Sequence, residues 1–186
     1  MQIFTVVALV VLLAFPVAAA PSPAPDATLA SLARLSGPSF DVAFMRQVIP
    51  LSEEAVEVAL TATLYADHTE ILRWNQKMIE RKNVHVRQML AFLQEAGAAP
   101  AQRNAGVATA TVKKIRSLRG AALERTYLSF MITHFDRNVA LSRLAATKAN
   151  RSAIRALAQE IVRVESQEAA MLRGWQRKWY AGSSSG

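Results

Sequence analysis

Apolar residues recur along most of this chain at spacings of three and four. Between residues 71 and 93 the set is Ile71, Trp74, Met78, Val86, Met89, Leu90 and Leu93. Between 154 and 175 it is Ile154, Leu157, Ile161, Val164, Leu172 and Trp175. That period puts one apolar stripe on each of two α-helices. No period-two run and no Asn-Gly or Asp-Gly dipeptide marks a strand or a hairpin. Long helices are expected near 40–66, 70–96, 121–149 and 153–179, with a short one over Asp26–Leu35. Gly37-Pro38-Ser39 opens the first, and Gly97-Ala98-Ala99-Pro100 closes the second with a C-terminal Gly and a following Pro. Asp67-His68-Thr69 and Asn150-Arg151-Ser152 are turns, which makes Ser39, Thr69 and Ser152 the expected N-caps. Pro50 lacks a backbone donor and clashes with the preceding turn, so a kink or local break is expected there.

The pattern occurs twice. Shifted by 83 positions, residues 35–92 fall on 118–175. Leu35 and Gly37 land on Leu118 and Gly120, and Asp41-x-x-Phe44 lands on Glu124-x-x-Tyr127. Ala62, Ala66, Ile71 and Gln76 land on Ala145, Ala149, Ile154 and Gln159. Each copy is a helical hairpin whose apolar stripe it cannot bury alone. Two such hairpins predict an all-α, four-helix bundle of ferritin-like type, with repeat 1 over about 35–97, repeat 2 over about 118–180, and the bundle within 39–182.

The first 20 residues read as a signal peptide. Ile3 to Phe15 is almost wholly apolar, Pro16 interrupts it, and Val17-Ala18-Ala19 has the small-residue form of a cleavage site. The alternative is an uncleaved membrane anchor, for which the stretch is shorter than the ~20 residues a span needs. Export to the periplasm or the cell exterior is therefore expected, with membrane contact only through a retained signal. Residues 21–38 form a linker, its Pro21-Ser22-Pro23-Ala24-Pro25 stiff and exposed, and 183–186 form a flexible tail. The chain has no cysteine, which excludes disulfides, a lipid-anchoring cysteine, thiolate metal sites, iron–sulfur clusters and covalent haem.

Charge is unevenly spread. Residues 1–100 carry 7 Lys or Arg against 9 Asp or Glu, while residues 101–186 carry 15 against 5. The cations are spaced along helices rather than interleaved with exposed aromatics, so no nucleic acid is expected as partner. A solvated basic face is the plainer reading. Contact of the second half with an anionic envelope component or an acidic protein is the functional one.

The unit resembles an exported ferritin-like family, domain of unknown function 305. The family pattern runs D-x-x-F-x-x-x-M-I-x-H-H-x-x-A-x-x-M-A, a variable turn, then I-x-x-x-Q-x-x-E-I-x-x-M-x-x-W. In the first copy its positions are Asp41, Phe44, Val48, Ile49, Pro50, Ala55 and Ala59, continuing through Met78, Lys82, His85, Val86, Met89 and Phe92. In the second they are Glu124, Tyr127, Met131, Ile132, Thr133 and His134, then Ile161, Glu165, Glu168, Leu172 and Trp175. Trp179-Tyr180-Ala181-Gly182 resembles the family's W-Y-G ending. The resemblance implies a periplasmic copper-binding function that uses imidazole and thioether donors, which suit copper without cysteine. The family's paired histidines are replaced by Leu51-Ser52 in the first copy and by His134-Phe135 in the second.

The candidate metal ligands follow from spacing. Met131 and His134 are three residues apart and share a helix face. Met78, His85 and Met89 lie at relative positions 0, 7 and 11, again one face. If those faces meet, His85 and Met89 join Met131 and His134 around one copper ion; the alternative for each is ordinary core packing. His68 stands in a turn and is expected at the surface. No Glu-x-x-His occurs, so a di-iron site is not expected. Glu53 and Glu54 are expected in the first turn after Pro50, and Glu165 and Glu168 on a solvated face or turned inward against an Arg. No nucleophile motif or phosphate-binding glycine loop is present. The sequence thus leaves three readings in order: a copper-binding or copper-handling protein with a degenerate site, a metal-free envelope interaction or structural module, and a copper-dependent redox enzyme such as a superoxide-removing one.

Overall fold

The computed structural model describes residues 27–99 and 109–181. The expected signal peptide, the Pro-rich spacer and the tail lie outside them. Six helices follow one another: α1 Ala27–Ala33, α2 Gly37–Thr63, α3 Thr69–Glu95, α4 Ala110–Ser117, α5 Gly120–Lys148 and α6 Ser152–Tyr180. The four long helices form the bundle, and their ends lie within three residues of the expected positions. α2 runs through Pro50 as one helix, so the expected break does not occur.

The short helix α4 was not foreseen. It is the counterpart of α1, with Val112, Ile115 and Leu118 standing 83 positions after Leu29, Leu32 and Leu35. Its apolar side, Val112 and Ile115, is fully buried against the bundle. At the start of each long hairpin a glycine turns the chain: Gly37 has φ 59° and Gly120 has φ 53°. Only glycine enters that left-handed region without penalty, which is why the repeat keeps it. α3 ends in a Schellman motif, in which the Ala98 N–H donates to the Leu93 carbonyl at 2.9 Å and the Gly97 N–H to the Gln94 carbonyl at 3.0 Å.

The N-caps differ from expectation. α3 and α6 start after His68 and Arg151, whose side chains make no cap, and neither Thr69 nor Ser152 supplies one. Instead the caps come from the opposite repeat. Asp41, on α2, accepts the N–H groups of Asn150 and Arg151 at 2.7 and 3.0 Å. Glu124, on α5, accepts those of Asp67 and His68 at 2.7 and 2.8 Å. Both carboxylates are buried, and both place negative charge where the helix dipole is positive. The two caps are one arrangement used twice, since donors and acceptors are both related by the 83-residue shift. Ser39 is not a cap either; Ser36 holds that position in α2, without a side-chain bond.

The core divides in two. One cluster holds Phe40, Phe44, Ile49, Met89, Leu141, Ile154 and Ile161. The other holds Ala59, Ile71, Met78, Tyr127, Met131, Phe135 and Leu172. Each long helix crosses from one cluster to the other at a buried polar residue: Ser52 in α2, Lys82 in α3, Asn138 in α5 and Glu165 in α6. A polar layer thus spans the middle of the bundle.

Candidate functional site

The polar layer is built around an ion pair. Lys82 Nζ donates to Glu165 Oε1 at 2.8 Å, with side chains 1% and 2% exposed. Asn138 Nδ2 donates to the other carboxylate oxygen at 2.8 Å, so both oxygens of Glu165 are bonded. Lys82 and Glu165 are themselves 83 positions apart. In a symmetric dimer each would face its own copy; duplication let the two positions take opposite charges. Taking these ions from water is costly, and the bonds to both carboxylate oxygens offset that cost. The expectation of a solvated face for Glu165 and Glu168 is corrected: Glu165 is buried on Lys82. Glu168 is 12% exposed and bound by Arg81 at 2.5 Å and by the Trp74 indole N–H at 3.0 Å. α2 and α5 pack directly on one another, whereas α3 and α6 meet through these long side chains.

All five proposed metal ligands are buried. Met78 and Met131 lie in the same core cluster, but Met89 lies in the other, across the polar layer. His85 Nε2 lies 3.5 Å from Glu160 Oε1. Burial lowers the His85 pKa against the opposing pull of Glu160. His134 packs its ring between Phe130 and Phe135, with centroids at 6.2 and 5.4 Å. Its pKa is pushed well down by burial and by the charges of Lys82 and Arg137, so the ring is neutral. Its Nε2 has no hydrogen-bond partner, and neither have Asn138 Oδ1 and Ser142 Oγ one and two turns further along α5. Among the described residues no group of three or more His, Asp or Glu is arranged to hold a metal ion.

These residues do not suit the paired-histidine copper centre that the resemblance implied. One imidazole remains of four. The Lys82 ammonium sits 5.3 Å from the ring centroid of Phe135, the residue standing where the second histidine of the pair would be. A fixed positive charge in that place opposes a metal cation. Sequence reasoning missed Lys82 and Asn138 as functional groups. The 83-residue relation between Lys82 and Glu165 was the signal that could have found the first.

His68 stands in its turn with the side chain 33% exposed, and it is held there by specific contacts. Its Nδ1 is 2.6 Å from Glu124 Oε2, and its ring stacks on Trp179 at 3.9 Å. The Tyr180 hydroxyl donates to the same carboxylate oxygen. Burial alone would raise the Glu124 pKa. The His68 backbone N–H, the Tyr180 hydroxyl and the His68 ring outweigh it and leave the carboxyl below its ordinary value. The Tyr180 hydroxyl is held well above its usual range by burial and by that carboxylate. The Trp-Tyr ending of α6 is thereby fastened to the start of α3.

The profile of the family called domain of unknown function 305 (DUF305) matches this chain twice, over residues 16–93 and 94–176. The chain belongs to the DUF305 family. Its two segments divide as the internal repeat does. Among solved structures it resembles CopM in its Cu(I)-bound form, with a TM-score of 0.67 at 21% identity, over 75% of this chain and 97% of that one. CopM in its Cu(II)-bound form gives 0.66 at 20% identity. A DUF305 protein from Streptomyces coelicolor, described as a candidate secreted protein, gives 0.67 at 20% identity, over 74% of this chain and 91% of its own. At such identities the likeness is one of fold: an all-α DUF305 bundle. No curated protein sequence matches the chain. No described helix is long and apolar enough to cross a membrane.

Proposed function

We propose that this DUF305 protein is an exported, metal-independent module of the cell envelope that works by contact rather than catalysis. The Lys82 ammonium, bonded to Glu165 in mid-bundle and lying against Phe135, carries the reading. It supplies from within the chain the positive charge that a metal would bring to this layer. Export is supported by the apolar stretch and small-residue motif of residues 3–20 and by the likeness to a candidate secreted protein.

The orphaned Nε2 of His134 favours a second reading. Cu(I), which accepts few and soft donors, would take that nitrogen with the thioethers of Met131 and Met78. A copper-dependent redox activity would depend on this second reading. Titration with Cu(I) and Cu(II) separates the two. The first expects no binding tighter than about micromolar and a gain in Cu(I) affinity in Lys82→Met. Tight binding by the unaltered protein, abolished in His134→Ala, would overturn it and establish the second.

A further inference from the structure

The internal repeat provides a control for the protein's own surface. Positions 60, 64 and 65, at the end of α2, correspond to Arg143, Thr147 and Lys148 at the end of α5. The second copy is polar there, and its Lys148 ammonium donates to the Ala33 carbonyl. The first copy instead has Leu60, Leu64 and Tyr65, exposed to 53%, 73% and 37%. Leu60 and Leu64 are one turn apart and share a face.

A second departure falls at the same end of the bundle. Where α1 has Ala30 and Ala33, α4 has Lys113 and Arg116. Ser36 precedes α2 where Arg119 precedes α5. With Val112 and Ile115 turned into the core, Lys113 and Arg116 are exposed. α4, which carries Lys113 and Arg116, packs on α2, which carries the leucines, and the Arg119 guanidinium lies 3.8 Å over the Tyr65 ring. Hydrogen bonds from Arg119 to the carbonyls of Arg116 and Leu118 hold it there.

We infer that this end of the bundle docks on an anionic phospholipid bilayer. Leu60 and Leu64 enter the interfacial region while Lys113, Arg116 and Arg119 meet headgroup phosphates. Apolar side chains rimmed by Lys and Arg are the arrangement that lies in a membrane interface without crossing it. A soluble anionic polymer would engage the cations but leave Leu60 and Leu64 in water. The inference names the partner of the contact reading above and rests on it. It is tested apart from copper, so either can fail alone.

The test is co-sedimentation of the full chain with vesicles of phosphatidylglycerol and phosphatidylcholine in equal parts, against vesicles of phosphatidylcholine alone. Binding is expected to the first only and to weaken with salt. Leu60→Asp with Leu64→Asp should cut affinity about tenfold or more. Lys113→Glu with Arg116→Glu should cut it by about fivefold per cation removed, or more through charge reversal. Arg143→Glu, at the equivalent place in the other copy, should change it least. Melting curves confirm folding; should the aspartates lower the midpoint, Leu60→Ser with Leu64→Ser replaces them. Affinity unchanged in both double variants would place binding elsewhere, for instance in residues 3–15, and overturn the inference. Equal binding to both vesicle types would also overturn it, as would retention on an anionic polymer without vesicle binding.

Discussion

Asp41 caps α6 through two backbone N–H groups. Glu124, its counterpart in the second repeat, caps α3 in the same way and also holds the His68 ring and the Tyr180 hydroxyl. The comparison separates what the repeat preserves from what it varies. Backbone capping, left-handed glycines and the apolar stripe recur, because two hairpins cannot pack into a bundle without them. Side chains added around those fixed points differ, and they differ by end. The Glu124 end gathers Trp179, Tyr180 and Arg119 with the exposed leucines, while the Asp41 end remains closer to the minimal plan. A symmetric frame has been finished asymmetrically.

The comparison breaks most severely where the two copies meet. Lys82→Ala leaves Glu165 buried without its cation and should cost about 3–5 kcal/mol in urea denaturation. Lys82→Met combined with Glu165→Leu removes both charges and should recover most of that loss, leaving Asn138 as the unpaired group. A single variant as stable as the parent would show that the pair does not bear on the fold.

At the two ends the expected effects are smaller and unequal. Asp41→Ala should cost about 1–2 kcal/mol, the range for a lost helix cap. Glu124→Ala should cost more, about 2–3 kcal/mol, because His68 and the Tyr180 hydroxyl lose their partner as well. Thermal unfolding of the two variants side by side measures the difference; equal losses would mean that the added contacts contribute nothing.

The gentlest probe is pH. The folded-state pKa of Glu124 lies below its ordinary value of 4.5, so its contribution is complete above that value. It is lost as pH falls through the lower folded-state value. Glu124→Gln should therefore flatten the acid limb of the stability curve below about pH 4.5. An acid limb as steep in the variant as in the parent would assign that loss to other carboxylates.

Much of the fold could be read from the chain. The three-and-four spacing of Ile71, Trp74 and Met78 and their second-copy counterparts marked long helices, and the duplication supplied the second hairpin. The caps could not be read locally. Thr69 and Ser152 have the right chemistry but stand one residue inside their helices, and two carboxylates from the other repeat bind the N–H groups just before them. α4 lies before the stretch 118–175 in which the repeat is plain, and its Val112, Ile115 and Leu118 stand out only beside Leu29, Leu32 and Leu35. At the candidate site, the methionines and histidines were visible as types. Their dispersal was not: Met78 and Met89 share a face of α3 yet stand on opposite sides of a layer that only tertiary packing defines. The exchange of paired histidines for Leu51-Ser52 and Phe135 was plain in sequence, whereas the ammonium beside Phe135 required the fold.

The exchanged caps bear on how the chain folds. Asp41 meets Asn150 across 109 positions, and Glu124 meets Asp67 across 57. Neither hairpin contains the group that completes its own second helix. An isolated half would have a frayed turn and a buried carboxylate aimed at nothing, so the repeats should not unfold as independent modules in a linear array. The long loops must close before either cap forms, which favours a single concerted transition at a rate set by topology. A chain of two near-copies thereby behaves as one cooperative unit, and exchange of one hairpin between two molecules would satisfy the same bonds.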